Sequence, residues 1–186
     1  MVRPKNLQSK FEDAELKYSG KLEKDALVSW VKANYHGLCG HKTTDNAKDF
    51  KLPLVTAYYD VDYVKNVKGT NYWRNRVMKV AKNFPNLNFA VANENDFQHE
   101  ADEFGLDVVT TDKPLIAIKS AAGKFVMTEE FDPKGVAFEQ FLKDYEGNVR
   151  NITSLRYEYR YIAACLMNIH KYYKNTFIFF RYSRQN

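Results

Sequence analysis

The stretch that most constrains what this chain can fold into runs from Leu54 to Phe84, LVTAYYDVDYVKNVKGTNYWRNRVMKVAKNF. Leu54 to Tyr59 is a short apolar run of strand formers. Gly69 to Phe84 sets Trp73, Val77, Val80, Ala81 and Phe84 on one helical stripe. A buried strand therefore feeds a helix. The N-terminus of a helix is where an α/β redox fold places its reactive dithiol, because the local field lowers a thiol pKa. Here the junction, Asp60 to Thr70, contains no cysteine. The architecture is present without that chemistry, and the reading that follows is one of binding.

The 186 residues, 45% of them hydrophobic, suffice for one compact core with material to spare. Met1 is followed by Val-Arg-Pro-Lys with no apolar run behind it, so no secretory signal is expected, and no run approaches the roughly 20 residues of a membrane-spanning helix. The net charge of +5 is unevenly placed. Residues 1–150 carry 22 basic and 22 acidic side chains, whereas residues 151–186 carry six basic residues against Glu158 alone. A neutral, evenly mixed body is not the footprint of a nucleic-acid-binding domain.

Cys39 and Cys165 form no CxxC and no zinc-ligand spacing, and they read as two idle thiols rather than a bridge. His36, His41, His99 and His170 share no metal or triad spacing and read as surface or structural residues. No Gly-rich phosphate loop occurs, so no cofactor or metal is expected.

Along the chain, residues 1–18 suggest the remains of a hairpin, with Phe11 and Leu16 to Tyr18 as strands. Lys21 to Tyr35 is an amphipathic helix with Leu22, Ala26, Leu27, Trp30 and Val31 as its stripe, stopped by Gly37. His41 to Phe50 is polar with a short helix at most, and Pro53 introduces the central strand. Leu87 to Ala92 reads as a second buried strand, followed by a helix with Phe97, Ala101 and Phe104 inward and Gly105 at its end. A hairpin, Leu115 to Lys119 and Lys124 to Met127, then leads to a helix opened by Asp132 and Pro133.

Val28, Val31, Tyr35 and Gly37 echo Phe138, Phe141, Tyr145 and Gly147, each pair 110 residues apart. That is the size of one small domain. Residues 1–37 thus read as the closing half of one unit, and 38–147 as a complete second one. Residues 148–186, Asn-, Ile-, Tyr-, Lys- and Phe-rich without a clear period, resemble translated A/T-rich non-coding sequence and are expected to be poorly ordered. The sequon Asn151-Ile-Thr153 falls there.

Three segments carry a family resemblance: AYYDVDYVKNVKGTNYWRNRVMKVAKNF, NLNFAVANENDFQHEADEFGL and KFVMTEEFDPKGVAFEQFLKDY. They resemble the non-catalytic b′ domain of the protein disulfide isomerase family, in its glycoprotein-specific branch, and RPKNLQSKFEDAELKY resembles the end of the preceding b domain. The resemblance implies a thioredoxin-like three-layer α/β/α fold with a mixed central sheet, preceded by a partial thioredoxin-like unit. It also implies residence in the endoplasmic reticulum lumen and a parent enzyme whose two Cys-Gly-His-Cys domains flank b and b′. Neither a catalytic domain nor a retention tail is expected in these 186 residues.

For such a b′ domain the resemblance implies docking of the acidic arm of calnexin- and calreticulin-type lectin chaperones, and of unfolded glycoproteins through them. The matching basic positions are Lys10 in SKFED, and Lys68 and Arg76 in VKGTNYWRNR. Arg offers a planar fork to carboxylates and Lys a mobile point charge. Pro114, in DKPLIAI, matches the cis-proline position of thioredoxin-like domains. Trp73 is expected in the core rather than at a contact. The alternatives are a disulfide isomerase by family membership alone, and a nucleic-acid or anionic-membrane binder acting through the basic aromatic tail.

Overall fold

The computed structural model describes residues 1–106 and 113–149. The tail expected to be poorly ordered, with Cys165, His170 and the sequon, lies outside the described residues apart from its first two positions. Met1–Lys143 forms one compact unit.

Five strands build its sheet: β1 (Gly40–Lys42), β2 (Leu54–Tyr59), β3 (Asn88–Asn93), β4 (Leu115–Ser120) and β5 (Gly123–Val126). Their order is β1-β3-β2-β4-β5. β3 lies parallel to both β1 and β2, and β4 runs antiparallel to β2 and β5. The helices are α1 (Lys24–Asn34), α2 (Val67–Ala81), α3 (Gln98–Glu103) and α4 (136–149). The sheet is mixed, as expected.

All six residues of β2 are buried, which follows from its being covered on both faces. The register pairs Val55 with Phe89 and Tyr58 with Ala92, so Val55, Ala57, Tyr59 and Phe89 point one way and Tyr58 and Ala92 the other. On the first face the Tyr59 hydroxyl donates to the Thr70 carbonyl of α2 at 2.8 Å, and Phe89 meets Phe138 of α4 edge-on at 6.4 Å. On the second, Tyr58, Ala92 and Ala117 pack with Phe97, Ala101 and Leu106 around α3. Helices therefore flank the sheet on both sides.

β1 overlaps the start of the stretch that reads as polar with a short helix; that helix is present as the 3-10 turn Ala47–Asp49, and the strand is the difference. Its three residues pair Gly40 with Ala90 and Lys42 with Ala92, and Lys42 is buried by closing a salt bridge to Glu100 and lying over the Phe97 ring at 4.4 Å. The N-terminal hairpin also differs. Its closure is a bridge between Val2 and Glu15, with Arg3 N–H donating to the Ala14 carbonyl at 2.8 Å. Phe11 is not part of it; the ammonium groups of Lys10 and Lys82 lie 5.2 and 5.4 Å from its ring centre. α1 forms, starting at Lys24 rather than Lys21, but its apolar stripe is not a core face: the helix has no buried residue, and Leu27 and Val31 are exposed.

Candidate functional site

The β2–α2 junction is closed by its own side chains. The Asp62 carboxylate accepts the N–H groups of Val64 and Lys65 at 2.7 and 2.8 Å, and Asn66 Oδ1 accepts the N–H of Gly69 at 3.1 Å as the helix cap. The Thr70 hydroxyl accepts the Asp62 N–H at 2.9 Å and donates to the Asp62 carbonyl at 3.0 Å. The two accepted N–H bonds hold the Asp62 carboxyl below its ordinary pKa. The N–H groups of Gly69 and Thr70 at this helix start thus already have partners.

Cys39, the described cysteine, lies elsewhere, fully buried and free. Burial pushes its pKa up to about 12, and the nearby Arg74 charge only partly opposes that. A thiol in that state is a poor nucleophile. The histidines are equally far from a ligand set. The His36 ring stacks on Phe50 at 3.8 Å, that of His41 tilts against Tyr63 at 5.0 Å, and burial lowers both pKa values. No group of three or more His, Cys, Asp or Glu able to hold a metal occurs among the described residues.

Lys10, Lys68 and Arg76 are brought together. All three line one open groove of about 530 Å³, whose lining also includes Lys79 and contains no carboxylate. One wall is α2. Lys68, Tyr72, Arg76 and Lys79 share a helix face at spacings of four, four and three residues. The other wall is the N-terminal segment, through Lys10 and Phe11. The walls are joined by Asn71 Nδ2 donating to the Asn6 carbonyl at 2.9 Å and Ser9 Oγ donating to Asn75 Oδ1 at 2.6 Å.

Within the groove, the Arg76 guanidinium lies 3.3 Å from the Tyr72 ring centre and donates from Nη1 to the Tyr72 carbonyl at 2.8 Å. This holds the planar cation in place without neutralising it. Its Nε is buried and has no hydrogen-bond partner among the described residues. Lys79 Nζ reaches the Lys134 carbonyl at 3.4 Å. None of these four cations shares an ion pair with a carboxylate among the described residues. Trp73 is half-buried and packs edge-on against Phe131 at 5.7 Å, between core and groove.

Arg74, between the groove residues in sequence, points inward and was not singled out by sequence reasoning. It is 2% exposed and donates to the Cys39 and Leu7 carbonyls, both at 2.9 Å, and to Glu12 Oε1 at 2.8 Å. Glu12 Oε2 lies 3.2 Å from Arg3 and accepts the Leu38 N–H at 2.9 Å. Gly37 sits beneath this pair with φ +66°, and a Cβ there would land on the Glu12 carboxylate and the Arg3 guanidinium. A helix pattern with Arg at both 74 and 76 signals two cations, but not which of them faces in.

Pro114 requires a correction. The cis X-Pro bond among the described residues is Leu52–Pro53, before β2, and not Lys113–Pro114 before β4. The trans form is the X-Pro default by about 0.5–1 kcal/mol, and position in the chain does not by itself reverse it.

The thioredoxin-like domain family matches residues 4–144, and the chain belongs to it. Within that family its similarity is to the b and b′ region of protein disulfide isomerases. It is 48% identical over 159 residues to protein disulfide-isomerase A3 of Gallus gallus, covering 81% of this chain and 31% of the relative. To protein disulfide-isomerase A4 of Rattus norvegicus it is 34% identical over 152 residues, covering 78% and 23%. The crystal structure of the bb fragment of ERp72 matches with a TM-score of 0.68 at 36% identity, over 79% of this chain and 66% of that one. The chain thus spans less than a third of these two curated relatives.

Proposed function

We propose that this chain is a non-catalytic binding module that docks an acidic polypeptide arm, of the kind borne by calnexin- and calreticulin-type lectin chaperones, in the groove of Lys10, Lys68, Arg76 and Lys79. In that role it supports glycoprotein folding in the endoplasmic reticulum lumen without thiol chemistry of its own. The observation that carries the reading is the meeting of four unneutralised cations and no carboxylate on one surface. Some exposed cations elsewhere do have acidic partners, as Lys124 does in Glu103 and Lys143 in Glu139. A groove kept free of such partners is suited to accept carboxylates from another chain.

The test is a titration of the full chain against an isolated acidic arm of a lectin chaperone, at low and at physiological salt, with and without the K68A/R76A pair. Binding that weakens with salt and is lost in the double variant is the expected result. Unchanged binding by the folded double variant would remove this surface from the function.

A further inference from the structure

We infer that a cleft between the end of α1 and the start of β3 binds the C-terminal residue of a polypeptide that ends in an apolar side chain, with the side chain inward and the carboxylate at the rim. The cleft measures about 270 Å³ and shares no lining residue with the basic groove. Leu38, Phe50, Phe84, Pro85, Leu87 and Phe89 supply its apolar lining, and Lys32 and Lys51 are its cations. Both lysines are exposed, and neither shares an ion pair with a carboxylate among the described residues.

The acceptors around this cleft are already engaged. The Tyr35 hydroxyl donates to Asp49 Oδ2 at 2.8 Å, and Arg3 donates to the Asn34 and Tyr35 carbonyls at the end of α1, both at 3.4 Å. The His36 ring lies 3.7 Å from that of Tyr35 and 3.8 Å from that of Phe50, which ties the helix end to the turn that follows β1. Two ammonium groups are left against the single carboxylate of Asp49. The Nε2 of His36, also in the lining, is buried without a hydrogen-bond partner among the described residues, where such atoms are ordinarily paired. The complement of this lining is an anion with an apolar body.

Size and charge narrow the ligand further. Sites for drug-sized molecules begin at about 300 Å³, so this one holds a single side chain rather than a long acyl chain. A free amino acid would bring its ammonium up to Lys32 and Lys51, at a cost in repulsion. The last residue of a chain has an amide there instead and presents its carboxylate alone. Capture of a terminal carboxylate by converging donors is a recurring mode of peptide recognition.

N-acetyl-L-phenylalanine stands in for such a chain end. It is titrated into the isotope-labelled full chain and followed by the amide shifts of residues 32–38 and 87–89, beside N-acetyl-L-phenylalanine amide, L-phenylalanine and acetate. The first compound is expected to saturate in the low millimolar range and to bind at least about fivefold more tightly than the other three. The K32A/K51A pair, at two exposed positions, is expected to keep a well-dispersed spectrum and to lose the preference for acid over amide. Equal affinity of acid and amide, or a preference that survives in the double variant, overturns the site. Equal binding of acetate overturns the apolar half of the reading, and the absence of any shift at these amides overturns the whole.

Discussion

Arg74 and Glu12 meet across 62 residues of chain, the guanidinium Nη2 lying 2.8 Å from the carboxylate Oε1, with both side chains under a tenth exposed. Arg3 approaches the other oxygen of the same carboxylate. One acid thus serves two buried cations, and it sets the N-terminal segment against α2. Replacing Glu12 with Ala leaves both guanidiniums without a counter-charge, and removing one partner of a buried pair typically costs about 3–5 kcal/mol. Urea denaturation of the variant is expected to show a loss of that order, with Glu12→Gln losing less because its amide oxygen still accepts a hydrogen bond. A loss below about 1 kcal/mol for Glu12→Ala would mean that the network contributes little.

The Cys39 thiol is expected to be inert in the native protein. Its pKa is pushed up to about 12 by burial, so little thiolate forms at pH 8, and the side chain is fully buried. Alkylation at pH 8 followed by peptide mapping should leave Cys39 unmodified until denaturant is added. Rapid native labelling would contradict the burial on which the argument depends.

His36 gives the fold a defined pH response. Burial holds its imidazole below the usual pKa, and the Asp49 charge only partly opposes this. Below the unfolded value of about 6.5 the unfolded chain takes up a proton that the folded chain does not. Stability is therefore full above that pH and declines as pH falls from it towards the depressed folded value. His41, with the same direction of shift, adds to the slope. His36→Phe keeps a ring against Phe50 and removes the proton, so denaturation midpoints measured from pH 7.5 to 5.5 should fall less steeply for the variant. Parallel profiles would show that His36 does not contribute.

What the sequence made legible was whatever depends on local pattern. β2, α2, β3 and the β4–β5 hairpin are found close to where apolar runs, helical stripes and turn residues put them. Lys68 and Arg76 share a helix face for the same reason. What it hid depends on distant partners. β1 contains His41 and Lys42 and looks like a loop, and it becomes a strand because Ala90 to Ala92 pair with it and Glu100 neutralises its lysine. The stripe of α1 signals a helix correctly but says nothing of what covers it. Arg74 and Arg76 are indistinguishable by type, and the choice of which is buried is made by Glu12, far away in sequence. The expectation at Pro114 came from resemblance alone, and no local signal in DKPLIAI could have checked it.

The groove has one wall on α2 and the other on residues that precede the first strand of the sheet. The basic groove is therefore not the property of the sheet-and-helix layer alone. A fragment trimmed to the strands and their helices would retain the fold's pattern yet lose Lys10, Phe11 and the carboxylate that sorts Arg74 from Arg76. In the proposed docking role, selection would act on a stretch outside the sheet as well as on α2, and a recombination point placed between them would separate the two walls of one groove.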